Sequence, residues 1–128
     1  MNNITLACVA VLGLLVFGLG LSISVVRFRT GTNSGCTQDP ADLLCKLVRA
    51  HANTVEYAPF LALLFFYFGA RSPSVATLSL IVGATVFRCL LVIGLVAGPT
   101  MADPNPFRFV GALGTYLTGL ALAAMLLR

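Results

Sequence analysis

The sequence predicts an all-α integral membrane protein, an antiparallel bundle of four transmembrane helices that forms a single domain over residues 1–128. Its residues are 59% hydrophobic and only 9% charged, whereas soluble domains carry roughly 25% charged residues. Four long apolar stretches are separated by short segments rich in turn-forming residues, and short connections join antiparallel neighbours. The net charge of +4 does not indicate a nucleic-acid partner, because the basic residues stand at the ends of apolar stretches rather than in one patch.

The first two helices are predicted at about residues 4–26 and 41–70. The first is free of charge and has the ~20 residues that a bilayer core requires. A cleaved signal peptide is the alternative, but no basic residue precedes the apolar run, which is also too long for a signal core. The second helix begins near Pro40, since proline suits the first helical turn. Its first turns are polar and its second half is apolar and aromatic.

The last two helices are predicted at about residues 75–97 and 107–127. Arg88 is the one charged residue within the third. Gly98 and Pro99 end that helix, and the prolines at 104 and 106 keep the following residues from being helical. The third and fourth helices therefore form a second antiparallel pair.

The distribution of cations predicts the orientation in the membrane. Five basic residues lie on the side shared by the first and third loops: Arg27, Arg29, Lys46, Arg49 and Arg108. The opposite side, which holds both termini, has only Arg71 and Arg128. Because cytoplasmic loops carry an excess of basic residues, we expect the 27–49 loop in the cytosol and the termini outside.

A polar stripe enters the second helix. At about 100° per residue, five side chains share one narrow helical face: Arg49, Asn53, Glu56, Tyr57 and Phe60. His51 points to the nearly opposite side, which favours a capping or interfacial role over a catalytic one. Polar residues in a membrane helix indicate a functional site.

The depth of these residues in the bundle predicts a ligand. Glu56 and Arg88 lie at similar distances from the turn at residues 71–72, about 23 Å at 1.5 Å per residue. Arginines from the other helices reach the same end of the bundle. A Glu56–Arg88 pair would serve as a structural ion pair, as part of a binding site, or as both. The surplus of arginine over carboxylate favours an anionic ligand, since guanidinium groups bind carboxylates through two bonds.

Two further patterns concern packing and cysteine chemistry. The stripe Gly111, Thr115, Gly119 and Ala123 permits close helix approach, either within the subunit or between subunits. The cysteines at 8, 36, 45 and 89 show no CxxC spacing, and one histidine is available, so no metal site is predicted. Cysteines facing the cytosol are expected to be reduced.

The segment from Arg49 to Pro59, Arg-Ala-His-Ala-Asn-Thr-Val-Glu-Tyr-Ala-Pro, resembles a known family signature. It is similar to the Arg-x-x-x-Asn-x-x-Glu-Tyr-x-Pro motif of MAPEG, the membrane-associated proteins in eicosanoid and glutathione metabolism. The Arg-Ala-His-Ala-Asn form resembles bacterial members, which implies a bacterial inner membrane. The resemblance also implies a homotrimer that binds glutathione between subunits near the cytosolic face, and a lipophilic substrate that arrives through the membrane lipid.

The resemblance implies roles for individual residues. Glutathione contacts would come from Arg49, Asn53, Glu56 and Tyr57, supplemented by Arg29 and Arg88. Arg108 matches the arginine of the fourth helix that stabilises the glutathione thiolate in the family, and would be the catalytic residue. The implied function is that of a glutathione-dependent transferase or peroxidase acting on lipophilic electrophiles.

One departure from the family pattern supports other functions. Leu91 and Leu95 stand where glutathione-using members carry tyrosines, which removes hydrogen bonds to the peptide. A non-catalytic member that binds another anion or a lipid is therefore an alternative. A small transporter is a second alternative, although the first and fourth helices give almost no polar lining for a conducting path.

Overall fold

The computed structural model describes residues 1–127, which fold into four α-helices and contain no β-strand. The helices are α1 (Asn3–Thr30), α2 (Leu43–Gly69), α3 (Val75–Val96) and α4 (Pro106–Met125). The predicted all-α architecture is confirmed. Arg128, which was counted on the side of the termini, lies outside the described residues.

Three of the helices are long and apolar enough to cross a membrane by length and composition: α1, α3 and α4. The mean hydropathy of their best windows is 2.6, 2.3 and 1.3, respectively. α2 has 27 residues, so it is as long as a span, but Lys46, Arg49 and Glu56 make its first half polar. α2 packs against α1 and α3 in the bundle, with Pro59 inside an unbroken helix.

Side chains of the connecting segments determine where the helices begin and end. Asn2, Asp42, Ser74 and Asn105 each accept a hydrogen bond from the first turn of the following helix, which satisfies N–H groups that lack a helical partner. α1 continues one turn beyond the predicted end at residue 26 and stops at Gly31. This glycine has φ of 67°, the left-handed conformation that commonly ends a helix.

The tightest helix pair is α3 with α4, and glycines make it possible. A Cβ atom on Gly111 would lie 2.5 Å from the backbone nitrogen of Leu91, and one on Gly114 would overlap the ring of Phe87. Gly111 therefore serves packing within the subunit. The small-residue stripe left open whether it packs within or between subunits, and at this position it packs within. Gly119 instead lines a groove between α2 and α4.

Contacts between the loops fix the antiparallel arrangement. The backbone nitrogen of Met101 donates to the oxygen of Pro40 at 2.9 Å, so the α1–α2 and α3–α4 loops meet at one end. The nitrogen of Asn2 donates to the oxygen of Gly69 at 3.1 Å at the other end. By contrast, α2 and α4 barely touch along their lengths. This leaves an open side to the bundle.

The α1–α2 loop contains a disulfide between Cys36 and Cys45, whose Cα atoms lie 5.3 Å apart. The expectation of reduced thiols is wrong for this pair. The physical reason is that the loop folds back on α2, where the Thr37 hydroxyl donates to the carboxylate of Asp42 at 3.1 Å. Cys8 and Cys89 are free thiols.

Candidate functional site

A cavity of about 770 Å³ opens between α2, the end of α3 and α4. Its volume falls within the range of small-molecule binding sites, about 300–1,000 Å³. We call it the arginine cleft; it is lined by Arg49, Asn53, Leu91, Leu95, Pro104, Asn105, Pro106, Arg108, Phe109, Ala112 and Tyr116. The cleft exists because α2 and α4 separate on the open side of the bundle.

Two arginines line this cleft from opposite helices. Arg49 is exposed on α2, and Arg108 is partly exposed in the first turn of α4. The helix dipole disfavours a cation at that position. Loop carbonyls compensate, because Nη1 of Arg108 donates to the oxygens of Met101 at 2.8 Å and Asp103 at 3.4 Å. Arg108 is thereby held at the cleft without a carboxylate partner among these bonds.

Arg88 is buried next to the cleft, with only 1% of its surface exposed. Its Nη2 atom donates to the backbone oxygen of Asn53 at 3.1 Å, to Oδ1 of Asn53 at 3.0 Å and to Oγ1 of Thr54 at 3.4 Å. Its Nε and Nη1 atoms are buried without a hydrogen-bond partner. Leaving buried polar atoms unpaired is costly, more so on a charged group, so this guanidinium favours a further partner.

Two tyrosines continue from Arg88 toward α4. Cζ of Arg88 lies 5.2 Å from the ring centroid of Tyr57, within the range of a cation–π contact. The rings of Tyr57 and Tyr116 have centroids 5.7 Å apart. Tyr116 lines both the arginine cleft and a second cavity. It therefore marks the junction of the two.

The second cavity, about 410 Å³ in volume, continues along α2 and α4. We call it the apolar groove; its walls are Glu56, Tyr57, Phe60, Leu61, Leu64, Thr115, Tyr116, Gly119, Leu120 and Ala123. Glu56 is exposed and is the one charged residue in this lining. The apolar walls and the single carboxylate of this groove suit an amphiphilic or lipophilic occupant.

The structure brings together part of the predicted set. Arg49, Asn53 and Arg108 share the arginine cleft, and Arg88 reaches it through Asn53. The predicted similarity in depth of α2 and α3 agrees with the contact of Arg88 with Asn53 and Thr54, within one helical turn of Glu56. The hydrogen bonds of Arg88 go to these two residues, however, and not to Glu56.

Three other predicted residues lie outside the cleft. Glu56 and Tyr57 line the apolar groove instead. Arg29 is exposed near the end of α1, and α1 makes no contact with α4 within residues 1–127. Arg29 therefore does not reach the cleft of its own subunit. The helical periodicity did not give the direction of Glu56 and Tyr57 around the bundle.

Lys46 and His51 have structural contacts. Nζ of Lys46 donates to the oxygens of Gly98 at 2.9 Å and Pro99 at 3.4 Å, where a cation stabilises carbonyls beyond the C-terminus of α3. His51 packs against α1, since a Cβ atom on Gly20 would lie 3.4 Å from Nε2 of His51. Neither residue lines the cleft or the groove.

Tyr116 was not among the residues predicted from the sequence, because no charged residue stands next to it on α4. The stripe prediction covered only the small residues of α4, and Tyr116 directly follows Thr115 in that stripe.

Across residues 1–127, no three histidine, cysteine, aspartate or glutamate side chains are grouped so as to hold a metal ion. The polar side chains that line the arginine cleft are those of arginine, asparagine and tyrosine.

The fold and the site define a class, the helical membrane proteins with an arginine-lined cleft at one end of the bundle. The family model of MAPEG matches residues 5–128, essentially the whole chain. The chain belongs to the MAPEG family. Comparison with curated proteins and with solved structures gave no match.

Proposed function

We propose that this protein is a membrane-embedded glutathione-dependent transferase or peroxidase that acts on lipophilic electrophiles. The observation that carries the proposal is the arginine cleft. Arg49 and Arg108 line one ligand-sized cavity, and the described hydrogen bonds of Arg88 and Arg108 go to amide, hydroxyl and backbone oxygens rather than carboxylates. Glutathione supplies two carboxylates that match such cations. Membership of the MAPEG family, which includes glutathione transferases and peroxidases, supports this choice.

The predicted residues of the arginine cleft and of the neighbouring apolar groove have separate roles in this proposal. Arg49 binds a glutathione carboxylate, Asn53 hydrogen-bonds the peptide, and Glu56 receives the ammonium group at the junction with the groove. Arg108 lies near the sulfur. A free thiol has a pKa of about 8.5, so a guanidinium next to it increases the fraction of thiolate, the nucleophilic form, at neutral pH.

The lipophilic substrate occupies the apolar groove. Because Tyr116 lines both cavities, the glutathione sulfur and the electrophile meet beside its ring. In a transferase reaction the thiolate forms a bond to the electrophilic carbon of an aryl halide, and the carbon–halogen bond breaks to release the halide ion. In a peroxidase reaction it attacks the hydroperoxide oxygen and releases the lipid alcohol, and a second glutathione then displaces water to give the disulfide.

Arg29 enters the site through a second copy of the chain. It lies near the end of α1 and does not line the cleft of its own subunit, so we propose that it approaches the cleft of a neighbouring subunit. We therefore place the open α2–α4 side against the next subunit of a homotrimer. In that arrangement Arg29 of one subunit supplements the glutathione contacts of another.

The proposed orientation puts the 27–49 loop and the arginine cleft at the cytosolic face of a bacterial inner membrane, with the termini outside. The excess of arginine at this end supports it. Lys46 contributes less to this argument than its charge suggests, because its ammonium group binds carbonyls beyond the end of α3. Arg27, Arg29, Arg49 and Arg108 still carry the bias.

A second candidate is a non-catalytic protein that binds a different anion or an anionic lipid. Leu91 and Leu95 line the arginine cleft, and their side chains offer glutathione no hydrogen bond. A ligand with a charged head and an apolar body would use these leucines better than a tripeptide does. This is the observation that favours the alternative.

The two candidates are separated by product analysis on the detergent-solubilised protein. Glutathione is incubated with either a lipophilic aryl halide or a lipid hydroperoxide. A thioether indicates a transferase, and a lipid alcohol with glutathione disulfide indicates a peroxidase; both products should fall in Arg49→Gln and persist in Arg71→Gln, a matched charge change at the opposite end. Thermal stabilisation by anionic lipid, with no product and no effect of glutathione, would support the non-catalytic candidate.

A further inference from the structure

A third cavity, about 330 Å³ in volume, has the Cys36–Cys45 disulfide in its wall. We call it the disulfide cavity. The segment from Thr37 to Pro40 and the side chain of Met101 form other parts of its lining. Arg49 lines this cavity and the arginine cleft alike, so the disulfide lies next to the proposed glutathione site.

The disulfide cavity contains one cation that can pair with a carboxylate of a thiol such as glutathione. Its two charged lining residues are Asp39 and Arg49. The Asp39 carboxylate accepts a hydrogen bond from the nitrogen of Ala41 at 2.9 Å, and Asp42 beside it accepts from the Thr37 hydroxyl and the Leu44 nitrogen. Both carboxylates are thus engaged within the loop. Asp39 and Arg49 leave the lining without net charge, so Arg49 acts by pairing its guanidinium with a carboxylate of the incoming thiol.

The two sulfurs differ in accessibility. Cys36 is exposed, whereas Cys45 is 6% exposed. Cys45 is also the third residue of α2, where the helix N-terminus stabilises negative charge. An incoming thiolate therefore attacks Cys36, and Cys45 departs, because the more stable thiolate is the better leaving group.

We propose that Cys36–Cys45 is a redox-active disulfide that small anionic thiols reduce at this cavity, which gives the protein a thiol–disulfide exchange activity. The choice of glutathione as the thiol rests on the proposed function. The orientation proposed above supports redox activity, because disulfides exposed to the reducing cytosol are characteristically transient, catalytic or redox-sensing.

The exchange balances in two steps. The first thiolate forms a bond to the Cys36 sulfur, the Cys36–Cys45 bond breaks, and Cys45 leaves as a thiolate. A second thiolate attacks the outer sulfur of this mixed disulfide and releases the oxidised small-molecule disulfide together with the Cys36 thiolate. Two small thiols are oxidised, the protein disulfide gains two electrons, and the two thiol protons are available to Cys36 and Cys45.

Two successive hydrogen bonds connect the disulfide loop to the arginine cleft, so reduction of the disulfide affects the cleft. The loop that the disulfide closes accepts a hydrogen bond at Pro40 from the nitrogen of Met101. The oxygen of Met101 in turn accepts from Nη1 of Arg108 at 2.8 Å. Reduction of the disulfide frees the loop segment that contains Pro40. Because Pro40 positions Met101 and Met101 binds Arg108, the reduced protein holds Arg108 less firmly.

The test measures reduction of the disulfide in the full-length, detergent-solubilised protein. Samples are taken during incubation with glutathione or with uncharged 2-mercaptoethanol, thiols are alkylated, and intact mass reports the oxidised fraction. We expect Arg49→Gln to slow the reaction with glutathione by about tenfold, an ordinary effect of local charge on an association rate. The 2-mercaptoethanol rate should fall less, because its thiolate has no carboxylate to pair with Arg49, and Arg71→Gln should match the wild type with both thiols.

Three results would overturn the proposal. The first is that Cys36 and Cys45 both alkylate as free thiols even after mild oxidation. The second is that glutathione does not reduce the disulfide. The third is that glutathione reduces the disulfide of Arg49→Gln as fast as that of the wild type. The Cys36→Ser/Cys45→Ser double variant separates this from the proposed function. If it binds glutathione while the wild-type disulfide is inert, exchange alone is refuted. If neither protein binds glutathione at the cleft but exchange depends on Arg49, only the proposed function fails.

Discussion

Arg88 and Asn53 join α3 to α2 through two hydrogen bonds. Nη2 of Arg88 donates to Oδ1 of Asn53 at 3.0 Å and to its backbone oxygen at 3.1 Å. Asn53 lines the arginine cleft, whereas Arg88 does not. The buried arginine therefore orients an amide that faces the ligand site. A charge placed inside a membrane helix is costly, and here it positions a residue of the cleft.

Replacing Asn53 by alanine should destabilise the fold. Arg88 keeps the backbone oxygen but loses Oδ1 in a buried setting, which costs about 1–3 kcal/mol. Thermal unfolding of the solubilised protein measures the loss. Asn33→Ala, in the exposed α1–α2 loop, is the matched control. Equal melting temperatures for the two variants would show that the amide does not hold Arg88.

Replacing Arg108 by glutamine should move the pH dependence of catalysis. In the proposed reaction the guanidinium stabilises the thiolate, so we expect the pKa of bound glutathione to lie below the ordinary value of about 8.5. Without it the pKa rises, and the increase of kcat/KM with pH shifts to higher pH. The measurement is kcat/KM for the electrophile at saturating glutathione across the neutral to alkaline range, with Arg71→Gln as control. An unchanged profile would remove Arg108 from the reaction.

Adding one methyl group at Gly111 should destabilise the α3–α4 pair. The new Cβ atom would lie 2.5 Å from the backbone nitrogen of Leu91, and overpacking of this kind costs about 1–3 kcal/mol. Gly13→Ala provides the control, because nothing lies within 4 Å of a Cβ atom there. Comparing the unfolding midpoints of both variants checks the prediction, and equal midpoints would argue against close α3–α4 packing.

Filling the apolar groove should affect the lipophilic substrate selectively. A Cβ atom on Gly119 would lie 3.7 Å from Leu61, an ordinary contact, so Gly119→Leu should fold. Its side chain occupies the groove, and we expect KM for the lipophilic electrophile to rise about tenfold, equivalent to about 1.4 kcal/mol. Affinity for glutathione should be retained. A loss of glutathione affinity with an unchanged KM for the electrophile would reverse the assignment of the two cavities.

Much of the fold could be predicted from local properties of the chain. Apolar length and turn residues gave four helices, and depth arithmetic placed Arg88 within a turn of Glu56. The C-terminal extension of α1 was missed, although Gly31 is a readable stop signal. The cleft residues Arg49, Asn53 and Arg108 come together as the level argument predicts.

The direction of side chains around the bundle could not be predicted in the same way. Gly20 of α1 lies against His51, so at 1.5 Å per residue Arg29 lies about 10 Å further out than Arg49, on a helix that does not contact α4. Glu56 and Tyr57 share the helical face of Asn53, yet one further turn takes them into the apolar groove. Cys36 and Cys45 meet because the loop folds back on α2, and spacing alone does not reveal such a fold.

The most direct test of the glutathione assignment is calorimetric titration of glutathione into the lipid-embedded wild type, Arg49→Gln and Arg71→Gln. A hydrogen bond to a charged group contributes about 1.5–3 kcal/mol, so Arg49→Gln should weaken binding by roughly 10- to 150-fold. Arg71→Gln should bind like the wild type. Absence of binding by the wild type at millimolar glutathione, or equal affinity in all three proteins, would contradict a glutathione site in the arginine cleft.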